Sequence, residues 1–488
     1  MELSGPRVGR QGGLSGMTTR IPTGADAGIF RALADHACGM QFADLAPAVL
    51  QRANLCVMDL LASTYAALTG RGAQALSAYA SAVNPAPQAT LWGSSLRVGA
   101  IEAATVNGAT AYEAEYDDGN TLGGHWGSSS IPAILALAER DGASAQQVLV
   151  AIVAAYEVGD RISQPFSRGL LARGVHYPGG MGGVAATVGA GRMMGLDAQR
   201  MAAALGFTCL LPVAPYFPGY EGSDAKNLYS GWPNHCGLHF AALAQAGYRG
   251  SPQLLEGRDG LAHVFGWQGS GEELRNRVLE GLGTRYAILN TYFKPYPCCR
   301  WIHAPVRALL DLVDAHAILA ADIAAIEVAA PAFVDRMYFD AGPFRNATQA
   351  RYSVPYALGA AALHGRLGQS QFETRVLGDA AVQALAARVH FTPDADLEQA
   401  FPSAFNARVS VTTRDGTVHG GQSALPWGPQ APPGFADLAG KFRGIMAPLC
   451  GDAIVDEWMG YFEAGMQADA DLHGFFGLLR RSVVRSHA

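Results

Sequence analysis

Four ionisable side chains crowd one short break in this chain. Glu115, Asp117, Asp118 and His125 all fall in "EYDDGNTLGGHWGSSSIPAILALAE", residues 115–139. A histidine titrates near neutrality, and a neighbouring carboxylate can orient it, so the set suits proton transfer to carbon or to a leaving hydroxyl. The glycines between them let a ligand approach the backbone. Ser128, Ser129 and Ser130 then precede a helix whose free N–H groups could receive a carboxylate. A loop between buried helices can carry acids for solubility alone; the histidine and the meeting of a helix end with a helix start favour a site. Asp117, Asp118 and His125 match no metal-motif spacing, and no metal is expected.

Four other stretches carry similar chemistry. In "RGVHYPGGMGG", His176 precedes a helix start where an anion could bind. The later Gly189, Gly191 and Gly195 fall inside a helical pattern and miss the dinucleotide fingerprint, so no nucleotide cofactor is expected. Lys226, in "YEGSDAKNLYSGWPNHCGLHF", stands out in a chain with only a handful of lysines. It reads as a carboxylate clamp or as a proton donor whose pKa drops on burial. "YFKPYPCCRWIHAPVRALL" sets Lys294, Arg300 and His303 just before or at a helix start, where cations are poorly placed unless they share an anion. Cys298 or Cys299 could act as a thiol nucleophile there, although small buried cysteines are common. In "FRNATQARYSVPYALGAAAL", Arg345, Arg351 and Tyr352 precede a buried helix.

The elements that must position these residues are mostly helices. "LAPAVLQRANLCVMDLLASTYAAL" has near-helical apolar spacing, and "GAIEAATVNGATAYEAEY" runs to a turn at Asp118-Gly119-Asn120. Pro132 is expected in the first turn of the next helix, and Ser144 with Gln147 predicts a capping box on "AQQVLVAIVAAYEVGDRI". Near residue 290 the pattern changes. "DIAAIEVAAPAFV" reads as a strand, "FETRVLGDAAVQALAARV" as a helix, and "RVSVTTRDGTVHGG" as a hairpin turning at Asp415-Gly416. The fold class expected is mainly α with a smaller α+β domain: a large all-helical domain interrupted by an α+β insertion. The divisions are a flexible N-terminal extension over 1–25, a helical domain over 26–290, the α+β domain over 291–430, and C-terminal helices over 431–488 that return to the helical domain.

Totals set the class. A chain of 488 residues, 49% hydrophobic and 16% charged with 59 glycines, is a well-buried globular protein of more than one domain. Its formal charge of -6 provides no basic field for nucleic acid. Seven cysteines without zinc-ribbon spacing read as reduced thiols of a cytoplasmic protein. No apolar run reaches membrane-spanning length, and "MELSGPRVGRQGGLSGMTTR" lacks the apolar core of a signal peptide.

From about residue 30 to about 450, these stretches in this order resemble the MmgE/PrpD family of 2-methylcitrate dehydratases and cis-aconitate decarboxylases, which also holds an iminodisuccinate epimerase. The resemblance implies a homodimer, with substrate bound between a large helical domain and a smaller α+β domain. It implies no metal or organic cofactor, and a di- or tricarboxylate substrate that loses water or carbon dioxide, or is inverted next to a carboxylate. The motif aspartate falls on Glu115, the motif histidine on His125, the second histidine on His176 and the substrate-binding lysine on Lys226. Cys299 and His303 are the candidates for a further histidine position. Three departures stand out: Glu115 replaces the aspartate, Gly119 a threonine of decarboxylase-like members, and His125-Trp126 a histidine-proline pair. The function expected is a lyase, dehydratase or decarboxylase, with an epimerase or a non-catalytic carboxylate binder as alternatives. His125 and His176 would exchange protons, Glu115 would orient a histidine, and Lys226, Arg300, Ser129 and Arg351 would hold carboxylates. His303, Asp118, Cys299 and Tyr352 complete the expected site.

Overall fold

The computed structural model describes residues 28–84, 86–211, 214–338 and 342–484, so the expected extension over 1–25 lies outside the described residues. Helix outweighs strand by 61% to 8%, a mostly helical body with a small mixed sheet. The body is built on α1 (Pro47–Tyr65), α2 (Ala100–Glu113), α3 (Trp126–Asp141), α4 (Ala145–Ser163), α5 (Tyr177–Met193) and α6 (Leu228–Gln245). Helix α5 packs against α3, α4 and α6, and α2 packs on α3 and α6. Small residues permit this closeness: a Cβ on Gly237 would sit 2.5 Å from the Ala186 Cβ. The capping box forms as expected, Gln147 N–H donating to Ser144 Oγ (3.2 Å) and Ser144 N–H to Gln147 Oε1 (2.9 Å).

The start of α3 differs from expectation. It begins at Trp126, so the three serines lie within its first turns and Pro132 lies inside the helix. Proline has no N–H for the Ser128 carbonyl one turn back. Asn234 of α6 makes good the loss: its Nδ2 donates to Ser128 O (2.8 Å) while its Oδ1 accepts from Ala133 N–H (2.9 Å). At the helix start, Gly127 N–H donates to Asp118 Oδ1 (3.2 Å) and Ser129 N–H to His125 O (3.1 Å). The chain's own oxygens therefore take N–H groups that the sequence offered to a ligand carboxylate.

Two short strands, β1 (Gly119–Asn120) and β2 (Thr291–Tyr292), pair antiparallel and tie the acid loop to the segment after residue 290. The larger sheet holds β3 (Ile323–Ala330), β4 (Val389–Pro393), β5 (Asn406–Thr413) and β6 (Val418–Ala424), in the order β4-β3-β5-β6. Only the β3–β4 pair is parallel. Strand β3 ends at Ala330 because Pro331 cannot continue the ladder. The β5–β6 hairpin turns at Asp415-Gly416, where Gly416 has φ 86°. Helix α7 (His303–His316) covers β5 and β6 and touches α8 (Val354–His364). The single helix expected from "FETRVLGDAAVQALAARV" is instead two short ones, Thr374–Leu377 and Ala380–Ala386, because Asp379 caps the second through Ala381 N–H (2.8 Å). Near the C-terminus, α9 (Phe435–Cys450) packs back onto α1 and brings Lys441 Nζ to Asp59 Oδ1 (2.7 Å).

Candidate active site

The loop between α2 and α3 opens with Glu115 at φ 52°, a left-handed conformation that a residue with a side chain adopts at some cost. Its carboxylate is held from three sides. Oε1 is paired with Lys226 Nζ and accepts from the Tyr352 hydroxyl (2.8 Å), and Oε2 accepts from Lys294 Nζ (2.9 Å). Burial pushes the Glu115 carboxyl up, but the two ammonium groups outweigh it and hold it well below the usual carboxylate range. Burial also pulls Lys226 down, whereas Lys294, equally buried, is held up by Glu115 and Asp117 together.

Asp117 and Asp118 sit side by side in opposite electrostatic states. Asp117 accepts from Ser128 Oγ (2.7 Å) and lies 3.2 Å from His125 Nδ1 and 3.5 Å from Lys294 Nζ. Burial acts to raise it, but His125 and Lys294 prevail and draw it down to about 2. Among the described residues no cation forms an ion pair with Asp118. Burial, reinforced by repulsion from Asp59 and Asp117, pushes it up to about 7 despite a hydrogen bond from the Tyr156 hydroxyl (2.5 Å).

The two histidines are fixed in different ways. His125 Nδ1 lies 2.8 Å from the Asp118 carbonyl oxygen, which can only accept, so Nδ1 carries a proton and donates it there. Its Nε2 has no hydrogen bond among the described residues, and the ring lines a cavity. His176 precedes α5. Its Nδ1 accepts from Gly179 N–H (3.2 Å), its Nε2 lies 2.9 Å from the Tyr112 hydroxyl, and burial lowers its pKa to about 3.

The cavity lies between this loop, the start of α5 and the segment 292–301. Glu115, His125, His176, Lys294, Cys299 and Arg300 face it, and Tyr112, Tyr292 and Tyr352 are among its other wall residues. Arg300 is its most available cation. The guanidinium lies 3.2 Å from the centre of the Tyr292 ring, and one amino group donates to Thr121 Oγ1 (3.3 Å). Its Nε and Nη1 are buried without a partner among the described residues. Burial lowers its pKa to about 9, which leaves it charged at neutral pH. Three cations, Arg300, Lys226 and Lys294, face two ionised acids, Glu115 and Asp117, an arrangement suited to an added carboxylate. Among the described residues no three His, Cys, Asp or Glu side chains gather as metal ligands.

The expected residues divide by position. Lys226 stands behind Glu115, with its ammonium 3.8 Å from the centre of the Tyr112 ring, and does not line the cavity. Ser129 is buried beside Ser230 (3.3 Å between hydroxyl oxygens) and away from it. Arg351 also faces elsewhere, donating to Glu113 O (3.0 Å) and Gln369 Oε1 (2.8 Å). His303 is buried in α7 with Nε2 on Cys298 O (3.1 Å); of the two candidates in that stretch, Cys299 is the one on the cavity wall. The sequence singled out Lys294 among the cations of its stretch but gave it no role in the expected site, and it left out Tyr112 and Tyr292 altogether. A signal for Lys294 existed: the chain has three lysines, Lys226, Lys294 and Lys441, and all are buried against carboxylates. The tyrosines gave none, since Tyr112 in an apolar helix reads as core and Tyr292 lies in a strand of two residues, too short for a pattern.

At Gly119 the space a side chain would need is already filled. A Cβ there would lie 2.5 Å from the Tyr292 hydroxyl and 2.9 Å from Gly124 O, so Tyr292 occupies room that the resemblance assigns to a threonine.

The MmgE/PrpD N-terminal domain model matches residues 31–271 and the C-terminal domain model matches residues 296–457. A cis-aconitate decarboxylase of Aspergillus terreus is 26% identical over 298 residues, 59% of this chain and 61% of that protein, so the match spans about three-fifths of the relative's length. The cis-aconitate decarboxylase-like protein oryM of Aspergillus oryzae is 25% identical over 433 residues, covering 83% of this chain and 88% of the relative. The cis-aconitate decarboxylase of Homo sapiens is 24% identical over 423 residues, 83% and 85% of the two chains.

Proposed function

The chain belongs to the MmgE/PrpD family, and on that premise we propose that it is a lyase, a decarboxylase or dehydratase, acting on a di- or tricarboxylic acid through a carbanion-like centre beside a carboxylate. The observation that carries this reading is Arg300: a buried guanidinium on the cavity wall with Nε and Nη1 unpartnered is a receptor for a carboxylate. Lys294 supports the charge from the other side, and Glu115 holds Lys294 and Lys226 in place. His125, its Nδ1 fixed by the loop, presents Nε2 as the group that takes or returns a proton. The relatives named as cis-aconitate decarboxylases support carbon dioxide loss as the first reaction to test.

Inversion of an imino-dicarboxylic acid is the second reading. What favours it is the Tyr292 hydroxyl at Gly119, a wall shaped differently from that implied for decarboxylases. The reading includes a homodimer, which light scattering of the purified protein tests directly.

The deciding experiment is proton NMR in deuterated water with cis-aconitate, citrate, 2-methylcitrate and aspartate-derived imino acids. The expected result is a decarboxylated product with deuterium beside the remaining carboxylate, or a dehydrated product formed by loss of the proton on carbon. An inverted acid with no product would move the assignment to an epimerase. Absence of both exchange and product across the panel would overturn the reading.

A further inference from the structure

The hydrogen bonds around His176 fix where its proton sits. The backbone N–H of Gly179 is shared between the His176 carbonyl oxygen (3.1 Å) and Nδ1 (3.2 Å), so Nδ1, with that hydrogen directed at it, carries none of its own. Burial keeps the ring neutral, with its pKa at about 3, and its single proton is therefore on Nε2. Nε2–H donates to the Tyr112 hydroxyl oxygen at 2.9 Å. A phenol that accepts there keeps its own O–H to give, and among the described residues that hydrogen has no acceptor. Tyr112 lines the cavity, and its ring centre is 5.0 Å from that of His125. On its other side Lys226 holds the Tyr112 carbonyl oxygen (2.7 Å) and places an ammonium 3.8 Å from the ring centre.

A buried tyrosine bonded to a histidine is usually packing, but its hydroxyl proton then has an acceptor. Here the acceptor is missing on the side of the carboxylate cavity. We infer that Tyr112 is a catalytic proton donor of this site, with His176 as the positioning residue that directs its O–H and Lys226 as the cation that steadies its conjugate base. The inference rests on the lyase reading above. In a decarboxylation the bond to the departing carboxylate breaks, its electron pair stays on the substrate, and the resulting carbanion takes the Tyr112 proton. In a dehydration the same proton goes to the leaving hydroxyl while His125 Nε2 removes the proton on carbon. The phenolate accepts from His176 Nε2–H, faces the Lys226 ammonium, and recovers a proton from water after product leaves. His176 thus gives no proton to the substrate.

The test is Tyr112→Phe, which keeps the ring and its contact with Lys226 and removes only the hydroxyl. Rates are measured with whichever of cis-aconitate, citrate and 2-methylcitrate the wild type turns over. The expected result is a fall in kcat of roughly 10²–10⁴-fold with KM little changed, the range for a lost general acid. Burial, with the Glu115 and Asp117 charges, holds the Tyr112 phenol well above its ordinary range, so replacement by 3-fluorotyrosine, a more acidic phenol of nearly the same shape, should change kcat severalfold, which a packing role would not do. Retention of kcat within about threefold in Tyr112→Phe, about 0.7 kcal/mol, overturns the assignment and leaves the lyase reading standing. So does an unchanged kcat in the fluorinated protein. A wild type that turns over none of the acids removes the lyase reading, and this inference with it.

Discussion

Asp118→Asn is the perturbation whose outcome the electrostatics of the acid loop define most sharply. In the folded protein this fully buried carboxyl is raised from 3.8 to about 7, by burial first and then by the neighbouring Asp59 and Asp117. Between those two pH values the folded state holds a proton that the unfolded state has released. Stability contributed by this group is therefore complete below pH 3.8 and is lost as pH rises to about 7. From pH 5 to pH 7 the loss is two pH units at about 1.4 kcal/mol each, or about 3 kcal/mol. An asparagine in that place resembles the protonated acid: its oxygen can accept from Gly127 N–H and its amide can donate to the Tyr156 hydroxyl. The variant should match the wild type most nearly at pH 5 and gain on it by about 3 kcal/mol by pH 8. With an unfolding entropy of about 2.1 cal/mol/K per residue, the chain as a whole changes by about 1 kcal/mol/K, so the Tm gap should widen by about 3 °C. Asp160, also raised to about 7, titrates in both proteins and cancels from the difference. The assay is thermal or urea unfolding of both proteins at pH 5, 6, 7 and 8. A gap independent of pH, or one that widens toward acid, would refute the reasoning.

The other expectations concern the cavity and its supports. Arg300→Met removes two free donors that would each form a charge-assisted bond of about 1.5–3 kcal/mol, so kcat/KM for a turned-over acid should fall by roughly 10²–10⁴-fold. Gly119→Ala drives a methyl to 2.5 Å from the Tyr292 hydroxyl and should cost about 1–3 kcal/mol in urea unfolding, with Tyr292→Phe relieving part of the loss. Lys441→Met leaves Asp59 without its buried partner. It should destabilise by about 3–5 kcal/mol at pH 8 and by less at pH 5, because burial already raises Asp59 to about 6 and its neutral form needs no cation. His303→Leu should leave kcat/KM within about threefold of wild type, about 0.7 kcal/mol, because its ring lies off the cavity; a larger loss in steady-state assays would return it to the site.

What the sequence made legible was contiguous. Glu115, Asp117, Asp118 and His125 share one loop, and their mutual contacts follow from short separations. The β5–β6 hairpin was equally legible, because alternation and an Asp-Gly turn are local signals. The pairing of Lys294 with Glu115 was not, since it joins residues 179 apart through packing that no local pattern encodes. Side-chain direction was hidden too. Arg351 lies beside Tyr352, yet one guanidinium turns to Glu113 and Gln369 while the next hydroxyl reaches Glu115. The start of α3 misled because the serines and Pro132 read as an open helix end, and the groups that close it, Asp118 and Asn234, arrive from other segments.

The confinement of every lysine has a practical consequence. The side chains of Lys226, Lys294 and Lys441 are only 1%, 0% and 2% exposed, and each ammonium is committed to a carboxylate. Arginine and histidine at the surface form no lasting adduct with acylating reagents at neutral pH, since the guanidinium is unreactive and an acyl-imidazole hydrolyses. A folded molecule thus offers no lysine to amine-directed labels, cross-linkers or coupling resins, and each labelled lysine records an opening of the fold. Lys441 would report the detachment of α9 from α1, and Lys226 with Lys294 the loosening of the cavity wall. Comparing the labelling rates of those positions would order the two openings in time, with no probe introduced into the chain.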